Sequence, residues 1–223
     1  PEKGDLIIDI GSNDATALKT YPQNIYQLVG IDPTGLKFKD YYPPSIQLIP
    51  DFFTADGVKK EFGDKKAKFI TSFSMFYDLE DPSGFAKDIE NVLHDEGIWV
   101  FEQSYLPSMI ETNSFDTICH EHLEFYSLKQ IMYIAEKAGL KIIDVELNDI
   151  NGGSFSIVAA KKNSNRKPNE RLINNMLKKE VEMGLDGIEV FTSFFERVET
   201  QKNNLLNFLK EVKSSNKKIF GLG

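Results

Sequence analysis

Apolar and polar positions divide the chain into recognisable runs. Leu6–Ile10 is a short branched apolar run that does not alternate with polar residues and is followed at once by turn formers, as expected of a strand buried on both faces of a parallel sheet. Positions 26–32, 46–49, 66–74 and 98–101 read as four further strands. A short helix is expected from Ala15 to Lys19, with Ser12, Asn13 and Asp14 as turn and cap residues. Asp81-Pro82 opens another, carrying Phe85, Ile89, Val92 and Leu93 at three-to-four spacing and ending at Gly97, with His94 in its last turn against the terminal carbonyls. Positions 105–126 show no clear period. A helix over 127–138 closes at Gly139, and strands at 141–147 and 155–160 flank the Asn151-Gly152-Gly153-Ser154 turn as an antiparallel pair. After a polar linker ending in Pro168, apolar positions from Leu172 to Leu209 suit two or three helices with one apolar face each.

Composition narrows the partners. The chain has 223 residues, 41% of them hydrophobic, enough for one large domain plus a helical appendage. A net charge of -8 argues against nucleic acid as a partner, since phosphate backbones demand clustered Lys and Arg. One cysteine, Cys119, precludes an intrachain disulfide, which suits a reducing, cytoplasmic setting, and no apolar run approaches the ~20 residues that span a bilayer. The chain starts on Pro1 and stops after a strand-like Lys218-Ile219-Phe220, so both ends look cut from a longer chain.

The chemistry centres on the first strand and the loop after it. A dinucleotide site wants G-x-G-x-x-G, and only Gly11 is present. Asp9, two residues earlier, would repel a pyrophosphate but suits a ligand with an amino group and a sulfonium, S-adenosyl-L-methionine; an ordinary strand-to-helix turn is the alternative. Asp32 ends the second strand about 20 residues past the glycine loop, where nucleotide-binding sheets place a carboxylate on the ribose hydroxyls. Gly11, Ser12 and Asn13, then Pro33, complete those two loops. Asp51, Phe52 and Phe53 follow the third strand, the two rings either flanking an adenine or filling core. Ser74 ends the fourth strand, and the loop it opens should face the transferable methyl.

The long segment holds His120-Glu121-His122. Two histidines two apart in a loop, with no third ligand apparent, disfavour a metal site. Proton transfer fits better, because imidazole titrates near working pH and an adjacent carboxylate can orient it; two surface histidines are the bland alternative.

Taken in order, Asp9-Ile10-Gly11-Ser12-Asn13-Asp14, Gly30-Ile31-Asp32-Pro33-Thr34-Gly35, Asp51-Phe52-Phe53, Met75 to Pro82, Cys119 to Glu124 and Gly152-Gly153-Ser154 resemble the sugar C-methyltransferase family. The resemblance implies an α/β, Rossmann-like class I methyltransferase sheet, mostly parallel with a terminal antiparallel hairpin, over 1–161. The polar linker and the apolar spacing after it make 162–216 a helical appendage, and the resemblance further implies, at 217–223, the first strand of another α/β domain, with a zinc-binding module preceding the whole. The resemblance also implies methylation of a ring carbon of a nucleotide-linked 4-keto-deoxysugar, with His122 as general base and Glu121 and His120 around the sugar. In such a reaction Tyr77 or Tyr126 is either a hydrogen-bond donor to the enolate oxygen or an aromatic at the rim. Ala15 stands where many members have Gly, Tyr77 where antibiotic-sugar members have His, and Cys119 where those have Tyr, so the identity of the sugar stays open. O- or N-methylation of a small metabolite, or cofactor binding without turnover, are the competing functions.

Overall fold

The computed structural model describes residues 1–215 and 217–221. Seven strands form one sheet: β1 (Leu6–Ile10), β2 (Gln27–Ile31), β3 (Ile46–Ile49), β4 (Ala67–Phe73), β5 (Leu93–Ser104), β6 (Leu140–Asn148) and β7 (Ser154–Lys161). Their order is β3-β2-β1-β4-β5-β7-β6, with the first five parallel and β7 antiparallel to both neighbours. The strand order reverses between β1 and β4, the switch point at which open α/β sheets place their binding crevice, outside the carboxyl ends of those strands. The α/β class, the parallel sheet and the closing hairpin are as the runs of apolar residues predict.

All five residues of β1 are buried, because both faces of the central strand are covered. Ile8, Ile10, Val29, Ile31 and Ile70 join Val58, Ala86, Ile89 and Ile131 in the larger core, under α2 (Ala55–Phe62), α3 (Pro82–Val92) and α5 (Leu128–Ala138). Ile7, Leu28 and Ile46 face the other way, onto Leu18 of α1 (Thr16–Lys19). Periodicity does not announce α2, which buries only Val58 and is started by Thr54, whose hydroxyl accepts the Gly57 N–H at 3.0 Å.

Two expectations are corrected. The helix opened by Pro82 stops at Val92, and His94 and Gly97 belong to β5. Gly97 is no helix cap; a Cβ there would lie 2.9 Å from the Ala67 carbonyl and 3.0 Å from that of His94, so glycine permits close backbone approach at the start of the strand. Similarly, Ala15 precedes α1 in the left-handed region, at φ 62°, and the helix has four residues, too few for its N-terminus to serve as a binding site of its own.

The segment 105–126 contains α4 (Leu106–Thr112). Two helices follow the sheet. α6 (Glu170–Glu182) lays Ile173 and Met176 into the larger core, while α7 (Glu189–Ser214) packs Phe194 on Met109 and Ile110 of α4. Residues 217–221 form no strand, and Leu222 and Gly223, which complete the strand expected there, lie outside the described residues. No helix among the described residues is long and apolar enough to cross a membrane.

Candidate active site

The loops after β1 and β2 are tied together by one carboxylate. Asp32, 6% exposed, accepts the Asn13 N–H at 2.8 Å on one oxygen, and the Thr34 N–H and hydroxyl at 2.7 and 2.8 Å on the other. Three of roughly four acceptor positions are thus occupied, leaving one for a ligand hydroxyl. Gly11, Asn13 and Ala15 all take positive φ (71°, 48° and 62°), so the loop is tightly wound; at Ala15 that conformation costs about 1–2 kcal/mol, which glycine would not incur. The loop is pinned again by Tyr42, whose hydroxyl donates to the Asn13 carbonyl at 3.0 Å and pairs with Ser12 Oγ at 2.8 Å. This bracket crosses Gly30, where a Cβ would come within 2.5 Å of Ser12 Oγ and 2.9 Å of the Tyr42 ring. Tyr42 and Gly30 were not legible as site residues, because the contact joins positions far apart in sequence.

Asp9 lies beneath this loop at 3% exposure and accepts a hydrogen bond from the Thr71 hydroxyl of β4. Burial pushes its pKa up to about 6; Thr71 acts in the opposite direction and the neighbouring charge of Asp32 adds to the rise. Of the third loop, Asp51 and Phe52 are exposed, Phe52 at 75%, whereas Phe53 turns inward against Phe85 with ring centroids 5.2 Å apart. The two phenylalanines therefore do not flank one space: Phe53 is core and Phe52 an open ring face. Pro33 is exposed beside Asp32. Ser74 takes φ 52° at the end of β4, its N–H held by the Glu102 carbonyl at 2.8 Å. Met75 Cγ stands 3.6 Å from where a Gly11 Cβ would be, so the loops after β1 and β4 border one another.

Beyond Met75 lies the histidine connection. Tyr77 is buried, and its ring meets that of His122 at a centroid distance of 4.4 Å. The Tyr77 carbonyl accepts the Leu123 and Glu124 N–H groups at 3.0 and 3.2 Å, fastening the connection to the β4 side. Burial raises the Tyr77 pKa, with the nearby Asp78 charge adding and Ser74 opposing, so the phenol keeps its proton at neutral pH. His122 Nδ1 sits 2.8 Å from the Thr117 carbonyl. A carbonyl only accepts, so Nδ1 carries the proton and, in the neutral ring, Nε2 is a bare acceptor. Asp78, which composition did not single out, faces this group: burial raises its pKa, His122 lowers it and Glu121 raises it. His120 points away, its side chain 92% exposed and 3.4 Å from Glu121, itself largely exposed. The structure thus brings Tyr77 and His122 together and leaves His120 and Glu121 at the rim. Tyr126 is buried against Phe76, centroids 5.6 Å apart, and lies in the core layer.

Comparison with known proteins places the chain in a family. Residues 1–145 match the family model described as a methyltransferase domain, and residues 149–223 match that of the C-methyltransferase C-terminal domain. C-methyltransferase NovU of Streptomyces niveus is 27% identical over 222 residues, covering 99% of this chain and 52% of NovU, so the chain spans about half the length of that curated relative. Among solved structures, a chain from the complex between the Haloferax volcanii Trm112 methyltransferase activator and a methyltransferase superposes with a TM-score of 0.57 at 16% identity, over 72% of this chain and 84% of that one. LepI in complex with S-adenosylmethionine gives 0.55 at 16% identity, over 71% of this chain and 43% of LepI. Those two likenesses establish the fold.

Proposed function

Because the chain belongs to the methyltransferase-domain family and takes S-adenosylmethionine as its cofactor, we propose that it serves C-methylation of a nucleotide-linked keto-deoxysugar with His122 as general base. The observation that carries this reading is the His122 ring, its Nδ1–H fixed by the Thr117 carbonyl and its face packed on the Tyr77 ring, next to the loop that borders Gly11.

The residues at the crevice fit the cofactor. Asp9 supplies a buried negative charge toward a cationic ligand, Asp32 has one acceptor position left for a ribose hydroxyl, and Phe52 offers an open face to an adenine. When bound, S-adenosylmethionine supplies an electrophilic methyl group on a sulfonium. The chain's part is the proton. A C–H beside a ketone is acidic enough to be removed by an imidazole nitrogen held within hydrogen-bond reach, and His122 Nε2 takes that proton. Asp78 then faces the imidazolium and stabilises it. Tyr77, kept protonated by its surroundings, donates to the oxygen on which negative charge develops. Packing of the half-buried His122 ring on the buried Tyr77 ring also fixes the direction of approach, which is the main requirement of a transfer between two bound reactants.

The test is direct. With methyl-13C-labelled cofactor and a nucleotide-linked 4-keto-deoxysugar, the label should appear as a carbon-bound methyl in the product spectrum. Label on oxygen or nitrogen would replace the C-methylation reading, and no transfer with cofactor bound would favour a binding role.

A further inference from the structure

A buried glutamate outside the crevice grips both ends of the histidine connection. Glu180 of α6 is 3% exposed. One of its oxygens accepts the Tyr105 hydroxyl at 2.8 Å and the Leu128 N–H at 2.6 Å, and the other accepts the Lys129 N–H at 3.1 Å. Tyr105 is the residue at which the chain leaves β5 for the connection, and Leu128 and Lys129 are the first two residues of α5, where it ends. Those N–H groups belong to the first turn of a helix and have no partner within it, so a carboxylate there satisfies two donors and meets the positive end of the helix dipole. The two ends also meet each other, through the pairing of Tyr105 with Tyr126 and the Leu106 N–H on the Tyr126 carbonyl at 2.9 Å.

Packing alone does not call for a charge at this place. α6 already docks through Ile173 and Met176, and burying a carboxylate is costly unless its oxygens are fully engaged. All the partners of Glu180 here are donors on the two ends of one loop. The middle of that loop is exposed from Ile118 to Glu121 and has few anchors of its own beyond Thr117 and Tyr77. α7 adds a second hold on the same segment, with Arg197 Nη2 donating to the Ile110 carbonyl at 2.7 Å.

We propose that Glu180 is a positioning residue for His122, closing the base of the 105–127 connection so that the imidazole keeps its tautomer and its place against Tyr77. This rests on the reading of His122 as base, but its test observes the ring itself. The chain has three histidines. His94 provides an internal control of opposite tautomer, since its Nδ1 accepts the Glu96 N–H at 3.0 Å.

The experiment is long-range 15N spectroscopy of the histidine rings in the full chain, wild type against Glu180→Gln and Tyr105→Phe. A glutamine keeps one accepting oxygen and puts an NH2 group in place of the other, so either the Lys129 N–H or the pair formed by the Tyr105 hydroxyl and the Leu128 N–H faces a donor, and the clamp is weakened. In Glu180→Gln, His122 should lose its Nδ1–H pattern for that of a free imidazole while His94 is unchanged. Exchange of the Leu106 amide should accelerate by at least about tenfold as the loop base opens locally, and S-adenosylhomocysteine affinity should stay within about twofold of wild type because the Asp32 loop is untouched. Tyr105→Phe, which keeps the helix contacts, should give an intermediate change; it decides the matter if Glu180→Gln does not fold. Wild-type His122 patterns and Leu106 protection in the folded variants would overturn the proposal. Loss of the His122 pattern with methyl transfer undiminished would leave Glu180 as the positioning residue and remove His122 as the base.

Discussion

The two halves of the crevice lie at the same carboxyl edge of the sheet but are organised in different ways. On the β1–β2 side, Asp9, Ser12 and Asp32 are each at most 6% exposed, and side chains tie the loops to one another and to the strands. On the β4–β5 side, His122 is half-buried, and it is held by main-chain carbonyls of Thr117 and of the Tyr77 that its neighbours grasp. The first half is built by the ends of its own strands. The second borrows order from α6 and α7, which follow the sheet in sequence. Binding and chemistry should therefore respond to different substitutions.

The largest effect is expected at His122. His122→Asn keeps size and some hydrogen bonding but cannot accept a proton at neutral pH, so methyl transfer should fall by about 10²–10⁴-fold. Calorimetry should show cofactor affinity unchanged; a parallel loss of affinity would merge the two halves. Next comes Asp32→Ala, which removes a charged acceptor and should weaken cofactor binding by about 1.5–3 kcal/mol, roughly tenfold to a hundredfold. Because Asp32 also holds Asn13 and Thr34, part of that loss is loop order, and Asp32→Asn should recover some of it. The His122 tautomer should be untouched in both.

A smaller effect follows from Asp9. Its folded pKa, about 6, lies above the ordinary 3.8, so the native state holds an extra proton between those values. The stability this confers is complete below about 3.8 and is lost as pH rises through 6. A cationic cofactor prefers the ionised form. Affinity should therefore rise with pH up to about 6 by no more than about tenfold per unit, the limit for one linked proton, and then level off. Asp9→Asn should flatten that profile; a slope that survives in Asp9→Asn belongs to another group. The smallest effect is expected at His120, whose side chain is 92% exposed: His120→Asn should change turnover by less than about twofold.

How much of this was readable in the chain depends on the range of the interaction. The strand of branched residues ending in Asp9 and Gly11, the spacing to Asp32 and the Gly152-Gly153 turn are local signals, and the sheet follows them. The end of α3 was misread because Gly97 has two uses, helix cap and close backbone approach, and only the position of the Ala67 carbonyl separates them. Phe52 and Phe53 look alike in sequence, yet one faces solvent and the other Phe85. Thr117 acts through its carbonyl, for which no residue type is a sign. Glu180 sits in a run of Lys and Glu that reads as a solvated helix face, and its burial depends on partners 52 and 75 positions away.

The most direct measurement is solvent-deuterium exchange at the acidic carbon of a nucleotide-linked 4-keto-deoxysugar, followed by NMR without methyl transfer, because exchange requires deprotonation alone. Wild type and His120→Asn should exchange the proton, and His122→Asn should not, while all three bind S-adenosylhomocysteine equally. Exchange that persists in His122→Asn would contradict the assignment of His122 as the base; exchange lost in His120→Asn instead would move that role two residues along the chain.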